Sequence, residues 1–416
     1  MRKTLSTSIA GALIASSLAV AASPATAATG QLVSATRLHT YATRSDVDAA
    51  LTADKFDPGT DRYGVRTYQL VYRTTDATGR RTTASGLVAL PINDRRELPT
   101  VSFGHGTEIY QRDAPSTSDD VFLIGPALTF ASAGFAAVAP DYVGLGDGPG
   151  PHPWMDVPSE TTASLDLLRA ARVFVARHGR QLTRDVYASG FSQGASAALG
   201  LARALQSGAD PWFRAAAVGP ISGAYDFRHA AIPSLFTPAV NPLLASAYAT
   251  YLLVAYDRLH DIYPDARDVF RPAYVDLPRL FDGTHTGLEV LHALPTSIDQ
   301  LLTPRGKALL LHPTGRFADA LAVLDSVCTN WAPRMPVRLY YSPGDEEAVN
   351  ANTEHCHDAL AAHGVSAPTI DVGVDTDYNG FVHEGSEVLG VPRVTRWFTQ
   401  LSDEAKRQPP VSVRPR

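Results

Sequence analysis

The sequence predicts an α/β fold, in which a mostly parallel sheet is covered by helices on both faces. Two observations support this prediction. Segments of strand and helix character alternate along most of the chain, which is typical of parallel sheets with crossover helices. The alternation stops between residues 226 and 333, where Pro-punctuated stretches rich in Leu, Tyr and Ala have helical character. We therefore expect an α/β core that is interrupted by a helical insertion.

Composition narrows the class of protein. The chain has 416 residues, of which 45% are hydrophobic and 19% charged, so one large domain or two ordinary domains would fit. Its formal charge of −6 and isoelectric point near 6.1 argue against a nucleic-acid-binding protein, which normally presents a basic face. The apolar content argues against a disordered chain. A globular protein remains, and an enzyme is favoured.

The first element is a predicted secretory leader. Arg2 and Lys3 form a positively charged N-terminal region. An apolar stretch runs from Ile9 to about Ala22, and Ala25-Thr26-Ala27 matches an A-x-A cleavage site. The alternative is a membrane anchor, but the apolar stretch is shorter than the roughly 20 residues that a spanning helix needs. Cleavage after Ala27 predicts a secreted chain whose formal charge changes from −6 to −8.

The first half of the core begins with a predicted hairpin around Asp76-Ala77-Thr78-Gly79. Strands and helices then alternate, because short β-rich runs are followed by apolar residues at helical spacing. In order, the predicted elements are strands 68–72, 84–90 and 99–103, helix 121–133, strand 135–139, helix 161–178, strand 185–188, a helix from Ser192 to about Leu205, and strand 214–221.

The helical insertion follows at residues 226–333, with helices predicted at 241–259 and 287–302. Because its two ends join consecutive strands, we expect a lid over the carboxyl edge of the sheet; a separate helical domain is the alternative. The core is predicted to comprise residues 28–225 and 334–405, with a tail at 406–416. Its second half contains predicted strands 336–341 and 369–372 and predicted helices 352–363 and 391–401.

The chain has two cysteines, Cys328 and Cys356. An even pair in a chain that is predicted to be exported favours one disulfide, and two buried free thiols are the alternative. Two cysteines cannot form a zinc site by themselves. The flanking His355 and His357 are expected on the surface.

Catalytic chemistry is indicated by the segment Gly190-Phe191-Ser192-Gln193-Gly194, a G-x-S-x-G pattern between a predicted strand and a predicted helix. A tight turn of this kind lifts the serine hydroxyl clear of the backbone, and side chains at Gly190 and Gly194 would collide. The serine also lies at a helix N-terminus, where developing negative charge is favoured. Ser192 is therefore the predicted nucleophile.

A serine nucleophile needs a base, and the base needs an orienting acid. In α/β-hydrolases these residues follow in the order serine, acid, histidine. Asp345 comes directly after a predicted strand, and His383 lies in the loop after the next strand. We predict His383 as general base and Asp345 as its partner, favoured over Glu346. For the oxyanion we predict the backbone amides of Gln193 and Thr107, the latter following strand 99–103.

Taken together, these segments resemble the secreted α/β-hydrolases of the secretory lipase type, which are lipases and esterases with a helical lid after the sixth strand. The resemblance covers roughly residues 65–402 and implies an α/β-hydrolase fold, the triad Ser192, Asp345 and His383, and a site bordered by the loop 141–146. Phe191 and Val382 occupy the places where tannase and feruloyl esterase relatives often have cysteines, which argues against membership of that branch. The segments that carry the resemblance are Gly104-His105-Gly106-Thr107, Pro140-Asp141-Tyr142-Val143-Gly144-Leu145-Gly146, the serine pentapeptide, Gly344-Asp345-Glu346, and the His383 loop before Arg396-Trp397-Phe398.

The resulting expectation is hydrolysis of carboxylic esters through an acyl-enzyme, without a metal or organic cofactor. The substrate would be a small-molecule or lipid ester, with transient contact at a lipid interface, and no obligate protein partner is indicated. An exported serine peptidase of aminopeptidase type is the first alternative, and it would need a carboxylate cluster. Asp257, Asp261, Asp265 and Asp268 could form one, but solvated helix faces are favoured for them. A binding protein that has this fold but no catalytic activity is the second alternative.

One segment imitates a calcium-binding loop. Asp375-Thr376-Asp377-Tyr378-Asn379-Gly380 matches its opening residues, but Ser386 stands at position twelve, where a bidentate glutamate is required. A solvated turn that positions His383 is therefore favoured over a calcium site.

Overall fold

A computed structural model describes residues 29–407 of the chain. The predicted leader at residues 1–27 and residues 408–416 of the predicted tail lie outside this range. Within it, none of the helices combines the length and apolar character that crossing a membrane requires.

One sheet forms the centre of the described residues and contains nine strands. Their bounds are β1 Leu32–Tyr41, β2 Val65–Thr75, β3 Arg81–Pro91, β4 Glu97–Gly104, β5 Ala136–Pro140, β6 Gln181–Phe191, β7 Arg214–Ile221, β8 Leu339–Tyr341 and β9 Thr369–Asp371. The spatial order is β1-β2-β3-β5-β4-β6-β7-β8-β9. The strands from β5 to β9 in this order pair in parallel, and β1, β2 and β3 form an antiparallel edge. The predicted hairpin is confirmed by the β2–β3 pairing, which continues to Thr75 opposite Arg81.

Helices cover both faces of the sheet, which confirms the predicted α/β architecture. One face carries an apolar core that includes Leu51, Phe130 and Phe398, and the opposite face carries a core that includes Leu168 and Leu201. The helices outside the insertion are α1 Arg44–Ala53, α2 Val121–Ala133, α3 Val157–Arg177, α4 Gln193–Gln206, α12 Ala351–Ala362 and α13 Val382–Arg407, with a 3-10 turn at Pro58–Thr60.

The insertion between β7 and β8 is helical, as predicted, but one of its expected helices is interrupted. The stretch predicted as a helix at 287–302 forms two short helices, because Pro295 follows the extended residue Leu294. One apolar cluster joins insertion residues such as Leu252 and Phe317 to Leu199 of α4. Since β1 was not predicted, the insertion follows the seventh strand rather than the sixth. Its elements are a π-helical turn Phe227–Ala231, α5 Ile232–Ser234, α6 Pro242–His260, α7 Ala266–Val269, α8 Gly287–Ala293, α9 Ile298–Leu301, α10 Pro304–Leu311, α11 Gly315–Thr329, and 3-10 turns at Pro272–Tyr274 and Leu277–Leu280.

The last helix is much longer than predicted. The sequence predicts a helix at 391–401, with His383 in the preceding loop, but α13 begins at Val382 and places His383 in its first turn. Gly385, Gly390 and Pro392 argue against a helix by propensity alone. Tertiary packing explains the two glycines, because a Cβ on Gly390 would lie 2.9 Å from the Ile221 side chain and one on Gly385 would overlap the Asp375 carbonyl.

Cys328 and Cys356 form a disulfide, as predicted. It ties α11 of the insertion to α12, and both residues are buried. The surface position expected of the flanking histidines is also found, since the side chains of His355 and His357 are each 43% exposed.

Replacing both cysteines with alanine should lower the free energy of unfolding by about 3–4 kcal/mol, because the disulfide closes a loop between residues 28 apart in sequence. Urea unfolding of the variant and of the wild type measures this difference. Adding a reducing agent should destabilise the wild type alone. A variant as stable as the wild type would show that the disulfide contributes little to stability.

Candidate active site

Ser192 lies on a strained turn between β6 and α4. β6 ends at Phe191 and α4 begins at Gln193, and the serine between them has φ 53° and ψ −116°. A non-glycine residue with positive φ costs of order 1–3 kcal/mol and persists only where its surroundings hold it. The Ser192 backbone N–H donates to the Ile221 carbonyl at 3.0 Å, so the end of β7 holds the turn. Its side chain is thereby held at the carboxyl edge of the sheet.

The two glycines of the pentapeptide are required by close backbone contacts. A Cβ on Gly190 would lie 2.9 Å from the Gly104 carbonyl oxygen and closer still to Gly194. A Cβ on Gly194 would lie 2.6 Å from the His105 carbonyl oxygen and would overlap the Gly104 carbonyl. The start of α4 therefore packs directly against the loop that follows β4. This contact sets the distance between Ser192 and that loop.

Changing Gly194 to alanine should destabilise the protein by about 3 kcal/mol, because a rigid backbone would have to move to admit the methyl group. Activity should fall as well, since the β4 loop would shift away from Ser192. Gly287→Ala is the matched control, because nothing lies within 4 Å of a Cβ there. Thermal unfolding of both variants checks the prediction, which is wrong if the two changes cost the same.

Asp345 and His383 form a buried pair beside this turn. The Nδ1 atom of His383 lies 3.0 Å from Oδ1 and 2.9 Å from Oδ2 of Asp345. The side chains of His383 and Asp345 are 3% and 0% exposed, respectively. Oδ1 of Asp345 also accepts the backbone N–H groups of Glu347 at 3.0 Å and Ala348 at 2.8 Å. The neighbouring Glu346 instead accepts the His383 backbone N–H at 3.3 Å, so Asp345 is the carboxylate that contacts the imidazole.

This pairing fixes the chemistry of the histidine. Because Nδ1–H donates to Asp345, the other ring nitrogen, Nε2, is unprotonated in the neutral form. It is buried and has no hydrogen-bond partner within residues 29–407, and His383 lines the same cavity as Ser192. Burial lowers the pKa of His383, but the Asp345 carboxylate, together with Glu347 and Glu384, raises it above its ordinary value. The site thus stabilises the imidazolium that forms when the ring takes a proton.

The two residues predicted to supply oxyanion amides line one pocket with Ser192. Neither the Thr107 nor the Gln193 backbone N–H donates a hydrogen bond to another residue of the described chain. The Thr107 hydroxyl accepts the Trp154 indole N–H at 3.0 Å, which holds the loop after β4. One of these free amides lies at the start of α4 and the other in the loop after β4. Such backbone N–H groups are the type of donor that stabilises an oxyanion.

A buried polar network holds the Gln193 side chain. Its Nε2 donates to Nε2 of His152 at 2.8 Å and to Oε1 of Glu160 at 2.7 Å. His152 in turn donates from Nδ1 to the Val143 carbonyl at 2.9 Å. Burial lowers the pKa of His152 to about 4 and raises the pKa of Glu160 to about 8, which favours the uncharged form of both. Sequence reasoning missed this network, because His152 lies in a Gly/Pro-rich loop and Glu160 resembles an ordinary helix-start carboxylate.

Two spaces meet at Ser192. The first, which we call the apolar pocket, has a volume of about 40 Å³ and is lined partly by the insertion. The second, which we call the acidic cavity, has a volume of about 120 Å³ and is lined by His383. Ser192, Thr107, Tyr248 and Glu347 line both. The further residues of the apolar pocket are Trp154, Met155, Gln193, Ala224, Phe227, Ala231, Ile232, Leu235, Leu252 and Ala348. The further residues of the acidic cavity are His105, Gly106, Glu108, Phe122, Leu123, Phe191, Glu384 and Glu387.

The aspartates of the insertion do not form the cluster near the serine that the peptidase alternative requires. Asp261, Asp265 and Asp268 pair with arginines, and Asp257 accepts the Tyr263 backbone N–H at 3.2 Å. None of the four lines either space at Ser192.

The segment 375–380, which resembles the start of a calcium-binding loop, does not contain the carboxylates that converge in the structure. Asp375 accepts the Asp377 backbone N–H at 2.8 Å, as in a polar turn. Within the described residues, the carboxylates whose oxygens converge to within 4.8 Å of one another are Glu346, Glu347 and Glu384. Of these, Glu346 accepts a backbone N–H of His383 and Glu347 accepts the Tyr248 hydroxyl.

No family model matches the chain, and no curated protein matches it. Several solved structures are similar to this chain. The rice cell wall degrading esterase LipA from Xanthomonas oryzae is 24% identical, with a TM-score of 0.78 over 91% of this chain and 99% of that chain. Candida antarctica lipase A in its closed state is 16% identical, with a TM-score of 0.63 over 92% of this chain and 84% of that chain. At these identities the comparison establishes the α/β-hydrolase fold, as predicted.

Proposed function

We propose that the protein is a secreted serine hydrolase that cleaves carboxylic esters, of the lipase or carboxylesterase kind. The observation that carries this proposal is the buried Asp345–His383 pair, whose free Nε2 shares a cavity with Ser192 on its strained turn. The names of the structural neighbours, an esterase and a lipase, support ester chemistry on this fold.

In the proposed reaction, His383 Nε2 takes the Ser192 hydroxyl proton while the serine oxygen attacks the ester carbonyl. Asp345 holds the imidazole and stabilises its charged form. The backbone amides of Thr107 and Gln193 donate to the oxyanion. The imidazolium then protonates the leaving alcohol, and water attacks the acyl-enzyme by the same route to release the acid. The proposed nucleophile, base and amide donors all belong to residues that line the two spaces at Ser192.

The acyl chain of the substrate would enter the apolar pocket. Six of its residues come from the insertion, and they are mostly aliphatic or aromatic: Phe227, Ala231, Ile232, Leu235, Tyr248 and Leu252. The insertion, residues 226–333, would therefore act as a lid that also selects the acyl group, and its apolar surface would contact lipid interfaces.

Secretion is supported by the disulfide between Cys328 and Cys356, which suits an oxidising compartment. The predicted leader at residues 1–27 provides the route.

Hydrolysis of a p-nitrophenyl ester series, from acetate to palmitate, by the purified mature chain tests the proposal. We expect turnover of at least one ester, with a chain-length optimum that separates an esterase from a lipase. If no ester is hydrolysed but a fluorophosphonate labels Ser192, a peptidase of the same fold takes the place of the esterase. If Ser192 is not labelled, the proposed site is wrong.

A further inference from the structure

The acidic cavity concentrates carboxylates beside the proposed catalytic histidine. Glu108 follows β4, Glu347 follows β8, and Glu384 and Glu387 lie on α13, so three separate parts of the chain bring four glutamates to one space. No lysine or arginine lines this cavity among residues 29–407. Such an arrangement is costly, because carboxylates held together away from water repel each other and lose their hydration, and the neighbouring base His383 already pairs with Asp345.

Glu387 is a glutamate of this cavity that lacks a hydrogen-bond partner within the described residues. It is 3% exposed and lines the cavity, yet no hydrogen bond from the described chain stabilises it. Oε2 of Glu384 is likewise buried without a hydrogen-bond partner among these residues. Burial and the neighbouring carboxylates raise the pKa of Glu387 and Glu108 well above the ordinary value, and raise the pKa of Glu384 to about 7, although His383 acts in the opposite direction on Glu384 and Glu387. A cation bound in the cavity would favour the ionised form of these glutamates.

The walls of the cavity favour an organic cation over a metal ion. Phe122, Phe191 and Tyr248 line it together with the glutamates, and aromatic faces attract ammonium groups. Two of the three carboxylates that converge closely enough for a metal already accept hydrogen bonds from the protein. Aromatic rings mixed with carboxylates suit an alkylammonium group, whereas a metal ion needs a shell of free oxygen ligands.

The position of His383 shows which part of the substrate this cavity would hold. The leaving alcohol takes its proton from His383, so it must lie on the histidine side of Ser192. His383 lines the acidic cavity and not the apolar pocket. The apolar pocket is therefore left for the acyl chain, and the acidic cavity for the alcohol.

We propose that the acidic cavity binds an ammonium group on the alcohol portion of the substrate, which makes esters of amino alcohols the preferred class. This inference rests on the ester hydrolysis proposed above. In the reaction, the ester C–O bond breaks, the acyl carbon bonds to Ser192, and the amino alcohol leaves with the proton from His383. Water then releases the carboxylic acid.

A pair of isosteric esters tests the inference. Butyrylcholine carries a quaternary ammonium group, and 3,3-dimethylbutyl butyrate has the same shape without the charge. We expect kcat/KM to be at least tenfold higher for butyrylcholine, and Glu387→Gln to lower the ratio of the two values about tenfold. Glu354→Gln, which changes an exposed glutamate on α12, is the matched control and should leave the ratio as it is in the wild type.

Hydrolysis of both esters with a ratio of one or less would overturn the inference and leave the esterase function standing. Restoration of uncharged-ester hydrolysis by calcium, after treatment with EDTA, would also overturn it, because the cavity would then be a metal site.

A second measurement needs no turnover. Tetramethylammonium should slow fluorophosphonate labelling of Ser192 in the wild type more strongly than tert-butanol does, and Glu387→Gln should remove the difference. Equal effects of the two compounds on the wild type would contradict cation binding even if no ester were hydrolysed. Absence of labelling would instead refute the proposed nucleophile.

Discussion

Replacing Ser192 with alanine lowers kcat for ester hydrolysis about 10⁶-fold and leaves the fold intact. The large factor is expected because the serine oxygen forms the covalent intermediate, and the remaining groups cannot act as a unit without it. Stability should change little or improve slightly, because the substitution removes no hydrogen bond that holds the turn. The hydrogen bond to Ile221 is made by the backbone N–H of residue 192, which alanine retains.

The measurement is single-turnover and steady-state hydrolysis of the best p-nitrophenyl ester, with circular dichroism to verify folding. Ser196→Ala is the matched control. Ser196 lies one turn further along α4, and its hydroxyl donates to the Ala224 carbonyl at 2.8 Å, so we expect loss of about 1 kcal/mol of stability and nearly normal turnover. If Ser192→Ala retained a tenth of the wild-type rate, another residue would be the nucleophile.

The strand, turn and helix around Ser192 could be predicted because one short segment encodes them. Residues 185–205 contain a β-rich run, a glycine-flanked serine and a small-residue helix, and each feature acts locally. The positions of Asp345 and His383 followed from chain order and from the strands before them. What chain order left open was the choice between Asp345 and Glu346. The structure separates them through the backbone amides of Glu347 and Ala348, which orient Asp345 towards the imidazole.

The groups that surround the site could not be predicted, because they come from distant parts of the chain. His152 and Glu160 reach Gln193 across a loop and a helix, and the acidic cavity combines glutamates from three elements. No local pattern marks such residues. Strand β1 of the antiparallel edge was missed for a different reason. Most residues of β1 are exposed and none of them is buried, so the period-two signal of a half-buried strand is absent.

Replacing Asp345 with asparagine should lower kcat about 10⁴-fold near neutral pH, an effect second only to that of Ser192→Ala. The reason lies in the contacts of its two oxygens. Oδ1 accepts the backbone N–H groups of Glu347 and Ala348, and asparagine would keep these bonds by placing its carbonyl oxygen there. Its NH₂ group would then face His383 Nδ1 and donate to it. The neutral imidazole would carry its proton on Nε2, where it cannot accept the serine proton.

The pH dependence distinguishes this explanation from loss of structure. Asp345 raises the pKa of His383, so Asp345→Asn should lower that pKa and move the acidic limb of the kcat/KM profile to lower pH. Glu346→Gln is the matched control, because glutamine retains an oxygen that can accept the His383 backbone N–H, and we expect it to cost less than about tenfold. Measuring both profiles from about pH 4 to about pH 10 decides the assignment. If Glu346→Gln proved the more damaging change, the orienting carboxylate would be Glu346, and the buried contact between Asp345 and the imidazole would serve the fold rather than the reaction.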